Sequence, residues 1–154
     1  MGDRCYIRIV CRQQDQKRLE DNGYFCETEN ADGTVYMVCE EANYGDNDLR
    51  EELASEGIPF FGWHGSGGGY GPCVFAAADG KHIEAETNFD DSGPVAVIRE
   101  DGTPDPTDVQ NAREYYRVLK LAQEQMKPQP ATAQLPERIT EDGSMAVERG
   151  APME

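Results

Sequence analysis

The amino-acid sequence predicts one small α+β domain, and three observations carry that prediction. Two turn-forming dipeptides, Asp32-Gly33 and Asp79-Gly80, each separate short runs of β-strand character, which indicates two β-hairpins. A long segment at 107–127 repeats its apolar residues at helical spacing. The length of 154 residues is enough for one domain and one hydrophobic core.

The predicted elements follow the order β-α-β-β-α-β-β-β-α, a small mixed or antiparallel sheet with two β-hairpins and three helices. Its first six elements match a split β-α-β arrangement of the ferredoxin-like type, which we expect for the N-terminal part. The predicted strands are 5–11, 25–30, 34–39, 73–78, 81–87 and 95–99, and the predicted helices are 15–22, 48–56 and 107–127.

The first strand is predicted by partial alternation, and the first helix by its end at Asn22-Gly23, a pair typical of helix C-termini. The first hairpin allows two registers. A two-residue loop at Asp32-Gly33 places Cys26 opposite Cys39, whereas a three-residue loop with a glycine bulge places Cys26 opposite Val38.

The second helix is predicted to open with a capping box at Asp48 and to stop at Gly57. In the second hairpin, alternation divides the side chains between two faces. One face is apolar and comprises Val74, Ala76, Ile83 and Ala85. The other comprises Cys73, Phe75, His82, Glu84 and Glu86.

The last helix is predicted to open with a capping box at Thr107 and to end before Pro128. Its apolar stripe is Val109, Ala112, Tyr116, Leu119, Ala122 and Met126, and its exposed side carries Arg113, Arg117 and Lys120. From 128 onward proline and isolated apolar residues prevail, so we expect a domain at 1–127 and a disordered tail at 128–154.

The five cysteines are odd in number and contain no C-x-x-C pair, and the N-terminus shows no apolar signal segment. These features favour free thiols and a cytoplasmic protein. No apolar run is long enough to cross a membrane, and the spacing of histidines and cysteines does not suit a zinc site. We therefore predict no metal, no cofactor and no membrane contact.

The formal net charge of −16 is unevenly distributed along the chain. Residues 19–112 carry 21 acidic and three basic groups, net −18, while residues 1–18 are net +3 and residues 113–127 are net +2. Such a centre repels nucleic acid and anionic membranes and attracts basic partners. Solubility, or a source that favours acidic proteins, accounts for the charge equally well.

The carboxylates of this centre fall into two groups, which we treat as candidate partner-binding residues. The first acidic group is Glu40, Glu41, Asp46, Asp48, Glu51, Glu52 and Glu56, and the second is Glu84, Glu86, Asp90, Asp91, Glu100 and Asp101, with Asp105 beside it. On a strand, Glu84 and Glu86 share a face roughly 6.6 Å apart, a spacing that can present charge much as a phosphate backbone does.

The segment 60–72 is dense in glycine and aromatic residues and supplies the candidate ligand-binding residues Trp63, His64, Ser66 and Tyr70. It matches neither a phosphate-binding loop nor a nucleophile elbow. Pairing of His64 with Cys73 as base and nucleophile lacks a third, orienting group, so an inert thiol is favoured for Cys73. The stretch 88–99 departs from a calcium loop because its twelfth residue is Arg99.

Two functional hypotheses follow. The first is an acidic interaction module or inhibitor that occupies a basic, nucleic-acid-binding groove on a target protein, as an anti-defence nucleic-acid mimic would. The second is a small enzyme or ligand-binding protein that uses the loop 60–72 with His64. The absence of a catalytic motif favours a protein that is not an enzyme, and the acidic centre favours one that does not itself bind nucleic acid. The sequence leaves its oligomeric state open.

Overall fold

A computed structural model describes residues 4–88 and 93–128 of the chain. Within these ranges the strands are β1 (Arg4–Arg12), β2 (Phe25–Glu29), β3 (Thr34–Asn43), β4 (Phe60–His64), β5 (Cys73–Ala78) and β6 (Lys81–Glu86), and the helices are α1 (Gln16–Glu20), α2 (Asn47–Ser55) and α3 (Pro106–Met126). The α+β class and the predicted element order are confirmed. The expected tail from 129 onward, and the candidates Asp90 and Asp91, lie outside the described residues.

The six strands form one antiparallel sheet in the order β2-β3-β1-β4-β5-β6. The first four strands, with α1 and α2 packed on one face, have the split β-α-β arrangement that the element order predicts. The β5–β6 hairpin extends this sheet at the β4 edge.

One predicted strand is wrong and one strand was missed. Residues 95–99 form only a single bridge, between Ile98 and Pro104, and Val97 and Ile98 are exposed. The second difference is β4, which lies in the glycine-rich segment that the sequence predicts as a loop. Gly62 lies inside it because a Cβ there would collide with the Arg8 carbonyl oxygen and the Phe75 ring. Strand propensity describes how well a residue fits into a sheet. It does not show whether a neighbouring strand is present for residues 95–99 to pair with.

Each face of the sheet has its own apolar core. The α1/α2 face packs under the two shorter helices and buries residues that include Ile7, Ile9, Leu19, Met37, Leu53, Phe60 and Phe75. The α3 face packs under the long helix and buries Val74, Ala76, Ala78, Ala85, Tyr115, Val118, Ala122 and Met126.

The two hairpins differ in their turns. In the second, Asp79 and Gly80 both have positive φ and form a two-residue turn, so the predicted division of side chains between two faces is confirmed. In the first, the loop is residues 31–33, closed by a hydrogen bond from the Asn30 amide to the Thr34 carbonyl. A bulge then places Cys26 opposite Met37, which neither predicted register allows. All five cysteines are free.

Both helix N-cap positions lie two residues before the predicted ones. The residue before α2 is Asp46, so Asp48 lies inside the first turn. At α3 the cap is Asp105, whose carboxylate accepts hydrogen bonds from the Thr107 and Asp108 amides, and Pro106 takes the first helical position.

The buried stripe of α3 agrees with the prediction at Ala122 and Met126 but is shifted by one position in the middle of the helix. Tyr115 is 6% exposed and Val118 is buried, whereas Tyr116 is 52% exposed. The helix carries apolar residues on two adjacent stripes, and the sequence pattern alone does not distinguish which of them faces a sheet.

Candidate functional site

Cross-strand pairing brings polar side chains together on the α1/α2 face. Residues directly opposite each other in antiparallel strands point to the same face. His64 lies opposite Cys73, and Cys73 lies opposite Glu86, which gives one row across β4, β5 and β6. The next rows on this face place Glu84 beside Phe75 and His82 beside Ala77. Half of the hairpin surface under α2 is therefore polar.

Arg50 of α2 lies at the centre of these rows and is 1% exposed. Its Nε donates to the Gly45 carbonyl at 2.8 Å, its Nη1 donates to Glu84 Oε2 at 2.8 Å, and its guanidinium lies 4.4 Å from the centre of the Phe75 ring. Burial of a charge is costly unless it is paired and hydrogen-bonded, and these three contacts supply that compensation. Its Nη2 donates no hydrogen bond to the described part of the chain.

Arg50 also fixes the protonation of His82. Arginine is always a donor, so His82 Nε2, 2.9 Å from Arg50 Nη1, must accept. The ring proton is therefore on Nδ1, which donates to Glu51 Oε2 at 3.0 Å. Burial lowers the pKa of His82, the hydrogen bond to Glu51 opposes that shift, and the charge of Arg50 adds to it. A neutral His82 thus joins α2 to β6.

The carboxyl group of Glu84 is held ionised by this network. Burial by itself would raise its pKa, but the hydrogen bond and charge of Arg50, with smaller contributions from His82 and His64, hold it below its ordinary value. Glu84 therefore neutralises Arg50 rather than offering a free charge to a partner.

His64 is the second buried histidine and is 3% exposed. Its Nδ1 lies 2.8 Å from the Gly65 carbonyl oxygen, which can only accept, so the ring proton is on Nδ1. Burial lowers the pKa of His64 and keeps the ring neutral. The ring stacks on Phe75 and meets the edge of Tyr70, with centroids 6.4 and 5.6 Å away.

A left-handed turn at residues 44–46 covers this histidine. Tyr44, Gly45 and Asp46 have φ values of 51°, 64° and 55°. Left-handed backbone costs roughly 1–2 kcal/mol at a residue that is not glycine. The turn is held by Arg50 on the Gly45 carbonyl and by Tyr24, whose hydroxyl donates to Asp46 at 2.7 Å. Gly45 is required because a Cβ would lie 2.5 Å from the His64 ring.

A cavity of about 440 Å³ opens between this turn, the glycine loop and the ends of β5 and β6. Its lining includes Tyr44, Arg50, His64, Tyr70, Glu84 and Glu86. The rings of Tyr44 and Tyr70 are 5.9 Å apart. A Cβ at Gly67 would meet the Tyr70 ring at 2.5 Å, so this glycine lets the ring lie against the loop backbone.

The four candidate ligand-binding residues of the segment 60–72 do not lie together in the structure. His64 and Tyr70 meet at the cavity. Trp63, the neighbour of His64 on β4, points to the α3 face, where it lies near Tyr6 and donates to the Asn88 carbonyl at 3.5 Å. Ser66 is exposed. Alternation along β4 separates Trp63 from the other candidates.

The acidic candidates differ in whether they have partners. Ion pairs to side chains of this chain involve Glu41 with Arg4, Glu52 and Glu56 with Arg18, and Glu84 with Arg50. Glu51 accepts a hydrogen bond from neutral His82. Asp46 accepts from Tyr24, and Asp101 accepts from Thr103 in a turn. Glu40, Asp48, Glu86 and Glu100 form no side-chain hydrogen bond or ion pair with described residues.

Cys73 lies directly opposite His64, but its chemistry does not suit a nucleophile. Burial, with the negative charge of Glu84, raises the pKa of the Cys73 thiol to about 11. The thiol is therefore protonated at neutral pH, and protonated thiols are poor nucleophiles. Among residues 4–88 and 93–128, no three histidine, cysteine or acidic side chains are placed to hold a metal ion.

Sequence reasoning missed Arg50 as a member of the site. The available signal was weak: Arg50 is one of three basic residues between 19 and 112, and it directly follows Leu49, a core residue of α2. A helical pattern assigns a charged residue to the exposed side, and only the opposing β6 strand reveals its partners.

In the part of the chain that is described, no helix is both long and apolar enough to cross a membrane. Comparisons with protein-family models, with curated proteins and with solved structures find no match to this chain.

Proposed function

We propose that the protein is an acidic interaction module that occupies a basic, nucleic-acid-binding groove on a target protein. The observation that carries this proposal is the net −18 confined to residues 19–112. A surface selected only for solubility usually mixes both signs of charge. Inhibition of a nucleic-acid-binding protein, as in an anti-defence mimic, is the activity that such a surface would perform.

The fold supports the proposal by joining the two acidic groups. The contacts of Glu51 with His82 and of Arg50 with Glu84 hold α2 against β6, so residues from both groups lie side by side. We call Asp48, Glu51, Glu84 and Glu86 the acidic edge. Asp48 and Glu51 are three residues apart on one side of the helix, and Glu84 and Glu86 share one side of the strand.

Within the acidic edge, Asp48 and Glu86 have no side-chain partner among described residues, and Glu51 is bound to a neutral histidine, so the charges of all three are available to a target. Glu84 is paired with Arg50, so it contributes less negative charge to the acidic edge than its regular spacing from Glu86 suggests. Because β6 is an edge strand, its carboxylates also discourage strand pairing between molecules. The competition assay described below measures docking rather than this protective effect.

The test is competition with DNA for a panel of basic nucleic-acid-binding proteins, measured across a range of salt concentrations. The variant with Asp48→Lys and Glu86→Lys should associate more slowly and show a weaker salt dependence, since charges at an interface rim mainly speed association. The matched control is Glu27→Lys with Glu29→Lys, which changes the net charge equally on β2 at the opposite edge of the sheet. No competition at low salt, or equal effects of both variants, would refute the proposal.

A second candidate function is small-ligand binding at the cavity that contains His64 and Tyr70, with or without a reaction. The specific observation that favours it is His64 itself, buried, neutral and fixed as the Nδ1-protonated form. Binding of an uncharged ligand there should be insensitive to salt, whereas docking of the acidic edge weakens steeply as salt increases.

A further inference from the structure

We propose that the cavity beside Tyr44, Tyr70 and Glu86 binds the guanidinium group of an arginine side chain presented by the basic target. The inference rests on the proposed function and adds to it the side chain that is recognised and the place where it binds. It depends on the volume, the aromatic lining and the charge of the cavity.

The volume of about 440 Å³ is sufficient for a side chain to enter, and the cavity lies at the Glu86 end of the acidic edge. Its walls are the left-handed turn, the loop that carries Tyr70, and the strand ends. A basic side chain that approaches the acidic edge therefore meets an opening rather than a flat surface.

The aromatic lining suits a cation. Tyr44 is 59% exposed, and its ring lies 5.9 Å from that of Tyr70 at an angle of 37°. The faces of aromatic rings attract cations, arginine above all. Tyr44 is held there on left-handed backbone, an arrangement that costs free energy and returns little buried surface to the fold.

The charge of the lining also favours a cation over an anion. The charged residues that line the cavity are Arg50, Glu84 and Glu86. Glu84 neutralises Arg50, and Glu86 has no partner among described residues, so one negative charge remains. An anion would meet both this carboxylate and the net charge of −16.

A guanidinium group fits this lining better than an ammonium group. It is planar, so it can stack on a tyrosine ring while its edge donates two parallel hydrogen bonds to a carboxylate such as Glu86. Lysine supplies a compact point charge that cannot use the ring and the carboxylate in the same way.

The experiment is an NMR titration of the full-length protein with three probes: blocked arginine, blocked lysine and blocked citrulline, the uncharged analogue of arginine. Blocked arginine should give saturable shifts of the Gly69, Tyr70 and Gly71 amides, and citrulline should not. The Glu86→Gln variant should weaken arginine binding about tenfold. Glu100→Gln removes another exposed carboxylate that has no ion partner among described residues, and it should leave binding unchanged.

Equal shifts by citrulline, tighter binding of lysine, or equal affinity in the Glu86→Gln variant would each overturn the inference. The outcome is separable from that of the proposed function, because the DNA competition assay measures displacement of DNA from whole targets, whereas the titration measures arginine binding to this protein directly. Competition without arginine binding would reject the cavity alone, and arginine binding without competition would reject the groove-occupying role alone.

Discussion

The β5–β6 hairpin faces two different interiors, although both are built by alternate residues of the same strands. Toward α3 it presents Val74, Ala76 and Ala85, which pack against apolar side chains of the helix. Toward α2 it presents His82 and Glu84, which surround a buried arginine. The first interior is held by contact area and tolerates any well-packed apolar set, whereas the second depends on donor and acceptor geometry.

The largest expected difference between these interiors comes from size-conserving substitutions. Arg50→Lys should lower the free energy of unfolding by roughly 2–4 kcal/mol, because lysine cannot serve the Gly45 carbonyl, Glu84 and His82 together. Met126→Leu, under α3, should cost less than about 1.5 kcal/mol. Denaturant unfolding of both variants measures the contrast, and similar losses would show that the polar network is not geometrically demanding.

The next contrast concerns two glycines with positive φ. Gly45→Ala should lower the free energy of unfolding by about 2–3 kcal/mol, because the left-handed strain is joined by collision with the His64 ring. Gly57→Ala carries similar strain, φ +80°, but its Cβ would meet nothing within 4 Å, so about 1 kcal/mol is expected. Thermal unfolding of the two variants separates the backbone strain from the collision. Equal losses would mean that the His64 ring moves away from the added Cβ without a cost in free energy.

A pH dependence should arise from the face that contains both histidines. Burial lowers the pKa of His64 and of His82, so the unfolded chain binds more protons once pH falls below the ordinary histidine value of about 6.5. Stability is therefore complete above that pH and declines on acidification until the folded-state pKa values are passed. A further decline should follow below about pH 4.5. There Glu84 takes up a proton in the unfolded chain while its lowered pKa keeps it ionised in the folded protein, so acid favours the unfolded state.

The measurement is the denaturation midpoint between pH 8 and pH 5 for the wild type and for His82→Gln. Glutamine can still accept from Arg50 but has no proton to gain, so the acid-induced loss should be smaller in the variant. An unchanged pH profile in His82→Gln would assign the whole dependence to His64 or to other groups.

Local patterns in the sequence predicted most of the fold but only part of the candidate site. The turn signal at Asp79-Gly80 predicted the second hairpin, and alternation along its strands predicted that His82 and Glu84 share one face. The bulge near Cys26 and the strand β4 could not be predicted in this way. Both depend on pairing with strands that are distant in the sequence or on their register, which local patterns do not specify. Arg50 is the clearest instance, since its buried state is set by side chains more than 30 positions away.

The smallest and most local contrast is between Glu84 and Glu86, two carboxylates on one side of β6 that the sequence does not distinguish. Glu84 accepts from a fully buried guanidinium, and its removal leaves that charge without its anion. Because the Glu84 side chain is 42% exposed, water compensates in part, and Glu84→Gln should lower the free energy of unfolding by only about 1 kcal/mol. Glu86→Gln should change it by less than about 0.5 kcal/mol, since no described residue is its partner.

Binding should show the reverse order, because Glu86 alone of the two has charge available to a basic side chain. Denaturant unfolding together with the blocked-arginine titration tests both halves on the same two proteins. Equal stability losses, or stronger loss of binding in Glu84→Gln, would show that the two carboxylates share one role.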